Sequence, residues 1–553
     1  MYKRYFYRNA GILLTLLVLV AGVSCKKTDS LVGSPYGAPV KQPVQFLDAK
    51  PSETSGLPGD EVTFKVMGLK EQTDFQVFFN QILVQPLSYT DSLLTIVIPQ
   101  NASSGTVSVT LKDGRNFFGP LFTVIGYVSL DPTFSTGSGI NGTVYGFART
   151  GSTAPYSYLI YGSFNNYNNT ATATKFVNNV EYINSTGGVA NNSQGLGASG
   201  AVYAGLTFQT SESQFIIGGA FSKYANRSNI NNITRIHNDL SLDTLFLQVP
   251  QFVNPDPVNN PKANYDTVAK FNGGFNTLNR GGNPVVKLFK SNDGKVIVVG
   301  NFNNYDSIYY PRSTASLKVQ DLTTMVNVAK IDTAGSLDLT YNFNTSTHTS
   351  GVGANGYILS AIKLDNDHIV MVGDFSSYNG QSVGRIVAVD QNGQPDYSFN
   401  TGTGANDAIK NITFCSATQK ILITGLFTSY NGVACNGVVM LNTDGTVDNS
   451  FSQKIITGGI VNYAGQLNNG KIIISGNFKT YDNVVRQGFV IANPDGSLAS
   501  GYNNIGAFGG QIYAIDDLGT NFGVNAVMLF GSISVFDSQQ VGGIVKILLQ
   551  SPH

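Results

Sequence analysis

The sequence predicts an all-β chain, a small β-sandwich followed by a seven-bladed β-propeller. Three observations carry this. First, an apolar run ending in Gly-x-Phe, with Tyr three residues further on, occurs six times, and a seventh copy is altered. The glycines stand at 162, 219, 300, 373, 425, 476 and 531, with steps of 51 to 57 residues except for two of 81 and 73. A period near 50 with several strands per unit is that of a propeller. Second, short alternating segments between turn residues precede this array, as in a sandwich. Third, charged residues make up 12% of the chain, half of the usual share of about 25%, while 61 Gly and 42% apolar residues suit many short strands joined by tight turns.

Taken in order, residues 1–24 carry Lys3, Arg4 and Arg8, no acid, and the apolar run Gly11 to Val20. The run is shorter than the about 20 apolar residues of a membrane span and has the pattern of a secretory signal. It ends in Ala21-Gly22-Val23-Ser24-Cys25. Small residues before a Cys resemble the loose lipobox of Bacteroidota lipoproteins. That resemblance implies cleavage before Cys25, lipidation of Cys25 and an outer-membrane protein facing the cell exterior. An ordinary signal peptide with an incidental Cys, or an uncleaved anchor, is the alternative. Without the leader, 31 Lys and Arg stand against 34 Asp and Glu, a net of −3. Such a chain lacks the basic footprint for nucleic acid or anionic lipid, so membrane contact is expected through the lipid anchor only. Residues 25–41, rich in Gly, Pro and Ser, have the composition of a flexible tether.

Residues 42–126 hold strand-like segments at Glu61–Val66, Phe75–Phe79, Leu94–Ile98, Thr106–Leu111 and Leu121–Ile125. Pro58-Gly59-Asp60-Glu61-Val62-Thr63-Phe64, then Phe78-Phe79-Asn80, Ile98-Pro99 and Ser104-Gly105-Thr106-Val107 resemble an IPT/TIG immunoglobulin-like domain. In exported bacterial proteins such domains act as spacers, which is the role the resemblance implies.

Residues 127–553 form the array. The unit from Gly356 reads as strand Tyr357–Ile362, a turn at Asp365-Asn366-Asp367, strand His368–Phe375, a loop, strand Gly384–Val389, a hairpin turn ending in Gly393, and a fourth strand Pro395–Phe399. The closing Asp-x-x-aromatic recurs at Asp448 to Phe451 and Asp338 to Tyr341. This order resembles the delta-60 repeat of propellers in large bacterial surface proteins. The last unit stops after its third strand, Gly543–Leu549, whereas Ser129–Phe134 has fourth-strand grammar with no blade before it. The N-terminal piece is therefore expected to complete blade seven and remove a sheet edge.

Strand alternation brings the loops between strands two and three, and between blades, to one face. Both long insertions, Gln248 to Lys270 and Asn303 to Ser313, are of these kinds, as is the Asn-rich connection Ala190 to Gln194. Phe252, Tyr265, Tyr309, Tyr310 and Arg312 in the insertions are the candidate ligand-binding residues, since aromatic faces beside amides suit a sugar chain. Tolerated insertion without function is the competing reading, and Trp is absent. The repeated Tyr is expected to pack its loop under its own blade.

No metal or cofactor is expected. Cys415 and Cys435 are separated by a strand of about six residues, roughly 20 Å, too far for a disulfide. His237, His348, His368 and His553 are scattered without zinc spacing. The turn at Asp444-Gly445 lacks the carboxylates that calcium needs. No Gly-x-Ser-x-Gly elbow occurs. The expectation is a non-catalytic surface lipoprotein that binds an extracellular ligand. A polysaccharide, as accessory to a glycan-uptake system, is preferred. A structural or adhesive protein whose propeller binds a surface protein is the alternative, and a glycan-active hydrolase or lyase the third.

Overall fold

The computed structural model describes residues 42–550, except 48–49, 152–155, 173–175, 190–194, 210–213, 250–255, 257, 261–264, 279–280 and 522. The leader, Cys25 and the tether lie outside the described residues, as do Phe252 and the connection 190–194.

The first unit is a sandwich of two sheets. One joins Gln45–Phe46, Glu61–Met67, Leu93–Val97 and Ser88–Tyr89. The other joins Ser55–Gly56, Asn116–Val124, Gly105–Leu111, Phe75–Phe79 and Ile82–Val84. Period-two alternation sends Val62, Phe64 and Val66 inward from one strand and Val107, Val109 and Leu111 from another. Phe122 sits edge-on to Phe64 and to Phe79, with centroids 6.5 and 5.9 Å apart, in the centre of this core.

Among the described residues, seven of the sheets that follow are blades, each built on three strands, and the seventh takes a fourth. The first strands of the blades, Thr143–Thr150, Val202–Gln209, Lys287–Lys290, Tyr357–Lys363, Ile409–Cys415, Val461–Gln466 and Ile512–Asn521, touch in succession, and the first touches the last. The ring is closed. The array has no single core. Its apolar residues gather between neighbouring blades, as where Ile297 and Val299 meet Ile358, Met371 and Val389. The closing interface is of the same kind: Phe530 of blade seven stacks on Phe147 of blade one at 4.5 Å.

The repeated glycine has a specific cause. A Cβ on Gly373 would lie 2.0 Å from the Tyr357 carbonyl oxygen, and a Cβ on Gly476 2.0 Å from that of Ile460. At the other five repeat glycines the same clash, with a first-strand or preceding carbonyl, falls between 1.8 and 2.3 Å. Only glycine lets the first strand come this close. Beside the contact the first strand bulges. The register skips one residue between Val144 and Gly146, Val202 and Ala204, Ile358 and Ser360, Ile409 and Asn411, Val461 and Tyr463, and Ile512 and Ala514. The skipped residues are Tyr145, Tyr203, Leu359, Lys410, Asn462 and Tyr513. In blade three Val286 takes the place, its N–H donating to the Val299 carbonyl at 2.8 Å. All seven line one central channel. A bulge re-aims a side chain, and here it aims one per blade at the ring axis.

The repeated Tyr is structural. Tyr167, Tyr224, Tyr305, Tyr378, Tyr430 and Tyr481 are buried. Tyr224 donates to the Leu240 carbonyl at 2.7 Å, Tyr305 to Gly335 at 2.8 Å and Tyr481 to Gly496 at 2.6 Å, each in the turn after the third strand of its own blade.

The fourth strand differs from expectation. In the unit from Gly356 it shrinks to a single bridge, Val389 to Pro395. The Asp396 carboxylate accepts the Ser398 N–H at 2.9 Å and turns the chain out of the ladder. A basic side chain next to that carboxylate ties the turn to its blade: Lys295 to Asp338 at 2.7 Å, His368 to Asp396 at 2.8 Å, and Lys420 to Asp448 at 2.9 Å. Burial alone would raise the Asp338 carboxyl, but the hydrogen bonds from Lys295 and Thr340 outweigh it and lower it to about 2. Among the described residues only blade seven has a true fourth strand. Val128–Leu130 pairs antiparallel with the third strand, Val128 opposite Leu549, and Lys546 meets Asp131 at 2.8 Å. The N-terminal closure expected from the sequence is present. Blade seven, the least regular in sequence, has the longest strands, Val524–Phe536 and Gln539–Gln550.

The sandwich is docked on the ring rather than hung from it. The Asn504 backbone carbonyl accepts the N–H and hydroxyl of Ser104, at 2.8 and 2.9 Å. Its side chain accepts the Val128 N–H and donates to the Val128 carbonyl, at 3.3 and 3.1 Å. Arg486 donates to the Asn101 carbonyl at 3.0 Å. Cys415 and Cys435 are buried and free, as expected.

The tyrosines give a paired prediction. The Tyr430 hydroxyl is buried without a hydrogen-bond partner, whereas Tyr224 caps a carbonyl. Tyr224→Phe is expected to cost about 1–2 kcal/mol in urea unfolding and Tyr430→Phe nothing or less than nothing. Equal costs would show that the hydroxyls do not hold the turns.

Candidate functional site

The two insertions were expected as irregular loops, but parts of both that are described form sheet. Thr244–Gln248 pairs with Tyr265–Ala269, both free of Gly and Pro. Asn304–Ile308 lies between Gly274–Asn276 and Gln320–Thr324 in a three-stranded sheet, and Tyr310–Arg312 makes one 3-10 turn. These elements stand beside the small hairpin of blade two, Lys223–Tyr224 with Arg227–Ser228. Together they enclose a cleft of about 200 Å3.

The cleft is polar and preorganised. Asp306 is 2% exposed. It accepts from the amides of Asn231, Asn276 (2.8 Å) and Gln320 (3.4 Å). Burial pushes its carboxyl up, against the lowering effect of those amides. Lys318, its side chain 7% exposed, donates to Asp266 at 2.7 Å and to the Thr314 and Ala315 carbonyls at 2.8 and 3.0 Å. All three ammonium protons are used, so this buried pair clamps the blade-three insertion to the Tyr265–Ala269 strand. Arg227 donates to the Thr267 carbonyl at 3.2 Å from the opposite wall. Tyr310 is pushed up to about 12 by burial and then by the charge of Asp266, so it faces the cleft as a neutral phenol.

Of the residues singled out from sequence, Tyr310 lines the cleft. Tyr265 borders it but stacks on Phe246, centroids 5.1 Å apart. Tyr309 is 47% exposed next to it, and Arg312 ends the 3-10 turn, exposed. Phe252 lies outside the described residues. Sequence reasoning missed Arg227, Asn229, Asn231 and Asp266, which line the cleft with Tyr310. The run Asn226-Arg227-Ser228-Asn229 was a visible polar turn, in the two-to-three loop of the blade that carries the first insertion. Among the described residues no group of three or more His, Cys, Asp or Glu is placed to hold a metal ion.

Four segments, 215–246, 365–399, 420–451 and 467–499, match the model of a family described as a domain of unknown function (DUF5122) beta-propeller. No curated protein matches the chain in sequence. Among solved structures it is similar to an auxiliary nutrient binding protein from Bacteroides ovatus ATCC 8483, at 10% identity, over 92% of this chain and 97% of that one, with a TM-score of 0.24. A putative phosphatase from Bacteroides thetaiotaomicron VPI-5482 is similar at 7% identity, over 93% and 98%, with a TM-score of 0.27. The Dos1 propeller is similar at 10% identity, over 92% and 96%, with a TM-score of 0.29. None of these carries a function over to this chain. The matched family segments fall in blades two, four, five and six, each running from the second strand to the closing turn, and the chain is a β-propeller protein whose blades are similar to that family's.

Proposed function

We propose that the chain is an exported lipoprotein, anchored in the outer membrane through Cys25 and facing the cell exterior, whose propeller is a non-catalytic binding module. The ligand is a polysaccharide, and the role is accessory to a glycan-uptake system. The blades are of the delta-60 type and the sandwich is an IPT/TIG spacer. One observation supports the ligand reading above the others: both insertions converge with the blade-two hairpin on a single cleft. Its walls hold a neutral phenol, several side-chain amides, a guanidinium and a carboxylate, the mixture of donors and acceptors that sugar hydroxyls match. For an enzyme of glycans the carboxylates are poorly disposed, since Asp266 is neutralised by Lys318 and Asp306 is shut behind amides.

A protein partner is the second reading, and a specific observation favours it. Leu245, Phe246, Leu317 and Leu322, in the segments that flank the two insertions, are 45–67% exposed.

A glycan array probed with the soluble chain from Thr28 onward separates the two. The expected outcome is binding to a defined polysaccharide, weakened about tenfold or more by Tyr310→Ala with Arg227→Ala while the thermal midpoint stays put. Silence on the array, with a purified surface partner lost on Phe246→Ser, would favour the protein reading. The anchor is checked separately: Cys25→Ala is expected to move the protein from the membrane fraction to the soluble one, and continued membrane attachment would refute lipidation.

A further inference from the structure

The central channel is distinct from the insertion cleft, and its chemistry is different. It is a cavity of about 470 Å3, within the range of small-molecule sites, walled by the first strands of all seven blades. Its two sides differ. Blades seven, one and two, consecutive around the ring, contribute Tyr513, Tyr145 and Tyr203. Tyr145 lies 5.1 Å from Tyr203 in a tilted pair and 5.2 Å from Tyr513 edge-on, so the three make one partly exposed aromatic arc. Across the ring, blades three and five contribute Lys287 and Lys410. Asn411 and Asn462 stand beside the second lysine.

Among the described residues the two ammonium groups have no counter-charge. No Asp or Glu is among the described residues that line the channel, and neither lysine forms an ion pair with a described residue. Three other enclosed lysines are paired in this molecule, Lys318 with Asp266, Lys330 with Asp293 and Lys546 with Asp131, whereas the half-buried Lys287 is not. Burial pushes the Lys287 amine down, the expected cost of a cation held in protein without a partner. An anion entering the channel would remove that cost.

We propose that the channel is a second binding site, for a carboxylate-bearing ring of monosaccharide size, with the carboxylate between Lys287 and Lys410 and the ring face on the arc of Tyr145, Tyr203 and Tyr513. The charges select the anion and the aromatic arc selects a ring over a bare ion. The amides of Asn411 and Asn462 serve ring substituents. The site depends on the bulges, which place Tyr145, Tyr203, Lys410 and Tyr513 in the channel, and it does not depend on the insertion cleft or its ligand.

Isothermal titration of the soluble chain with D-glucuronate, benzoate, D-glucose and inorganic sulfate at matched ionic strength tests this. Binding of glucuronate is expected at concentrations up to about 10 mM, weakened about tenfold by Lys287→Gln and by Lys410→Gln. Lys290→Gln removes an equal charge from the exposed end of the blade-three first strand and is expected to leave it unchanged. Binding of benzoate in place of glucuronate, with the same lysine dependence, would support the site and assign it to an aromatic acid. Equal binding of glucose or of sulfate, no binding by either acid, or equal loss in Lys290→Gln would overturn the proposal. Lys410 is exposed in the channel, so its variant tests the site even if Lys287→Gln fails to fold.

Discussion

A contact between a glycine and a carbonyl organises the ring. In each blade the second strand carries, in it or directly after it, a glycine whose absent Cβ leaves room for a carbonyl of the neighbouring chain segment, at distances that no side chain tolerates. The first strand bulges at that point, and one residue per blade is left facing the axis. The loudest signal of the sequence is therefore a packing device with a functional by-product. It is not itself a site, but it decides which seven residues face the channel.

Around this contact the other repeated residues have separable tasks. The Phe of Gly-x-Phe is buried among residues of two blades, as Phe375 is among those of blades three and four. The Tyr three residues on reaches back to the turn after the third strand. The closing Asp fixes the outer turn and is itself held by a Lys or His side chain. The ring is shut by Val128–Leu130, and the sandwich is pinned to it through Asn504. Rigid scaffolds put variation into what they display, and variation is what the channel positions and the insertions show.

The fold was legible because its signals repeat. Spacing counted the blades, and Ser129–Phe134, fourth-strand grammar without a blade, announced the closure. The fourth strand itself was over-read: Asp396 looked like a strand residue but bends the chain out of the ladder by binding the Ser398 N–H. The insertions were visible as interruptions, yet Thr244–Gln248 and Tyr265–Ala269 pair across residues that give no local hairpin signal. Within the cleft only Tyr310 was anticipated, because Arg227 and Asp266 meet through tertiary contact between separate elements. The channel was not legible at all. Tyr145, Tyr203, Val286, Leu359, Lys410, Asn462 and Tyr513 are of five side-chain types, since the bulge constrains their backbone and not their chemistry.

The dependence of the ring on the glycine contact can be measured in one comparison. Gly476 has a carbonyl 2.0 Å from where a Cβ would stand, whereas Gly432 has open space and a positive φ of 75°. Alanine at Gly432 pays only for its backbone conformation, about 1 kcal/mol. Alanine at Gly476 must push adjacent strands of a packed blade away from each other and is expected to cost about 3 kcal/mol. The difference in urea midpoint between Gly476→Ala and Gly432→Ala is therefore predicted to be large, with Gly476→Ala the less stable. Equal midpoints, or a more stable Gly476→Ala, would contradict the account.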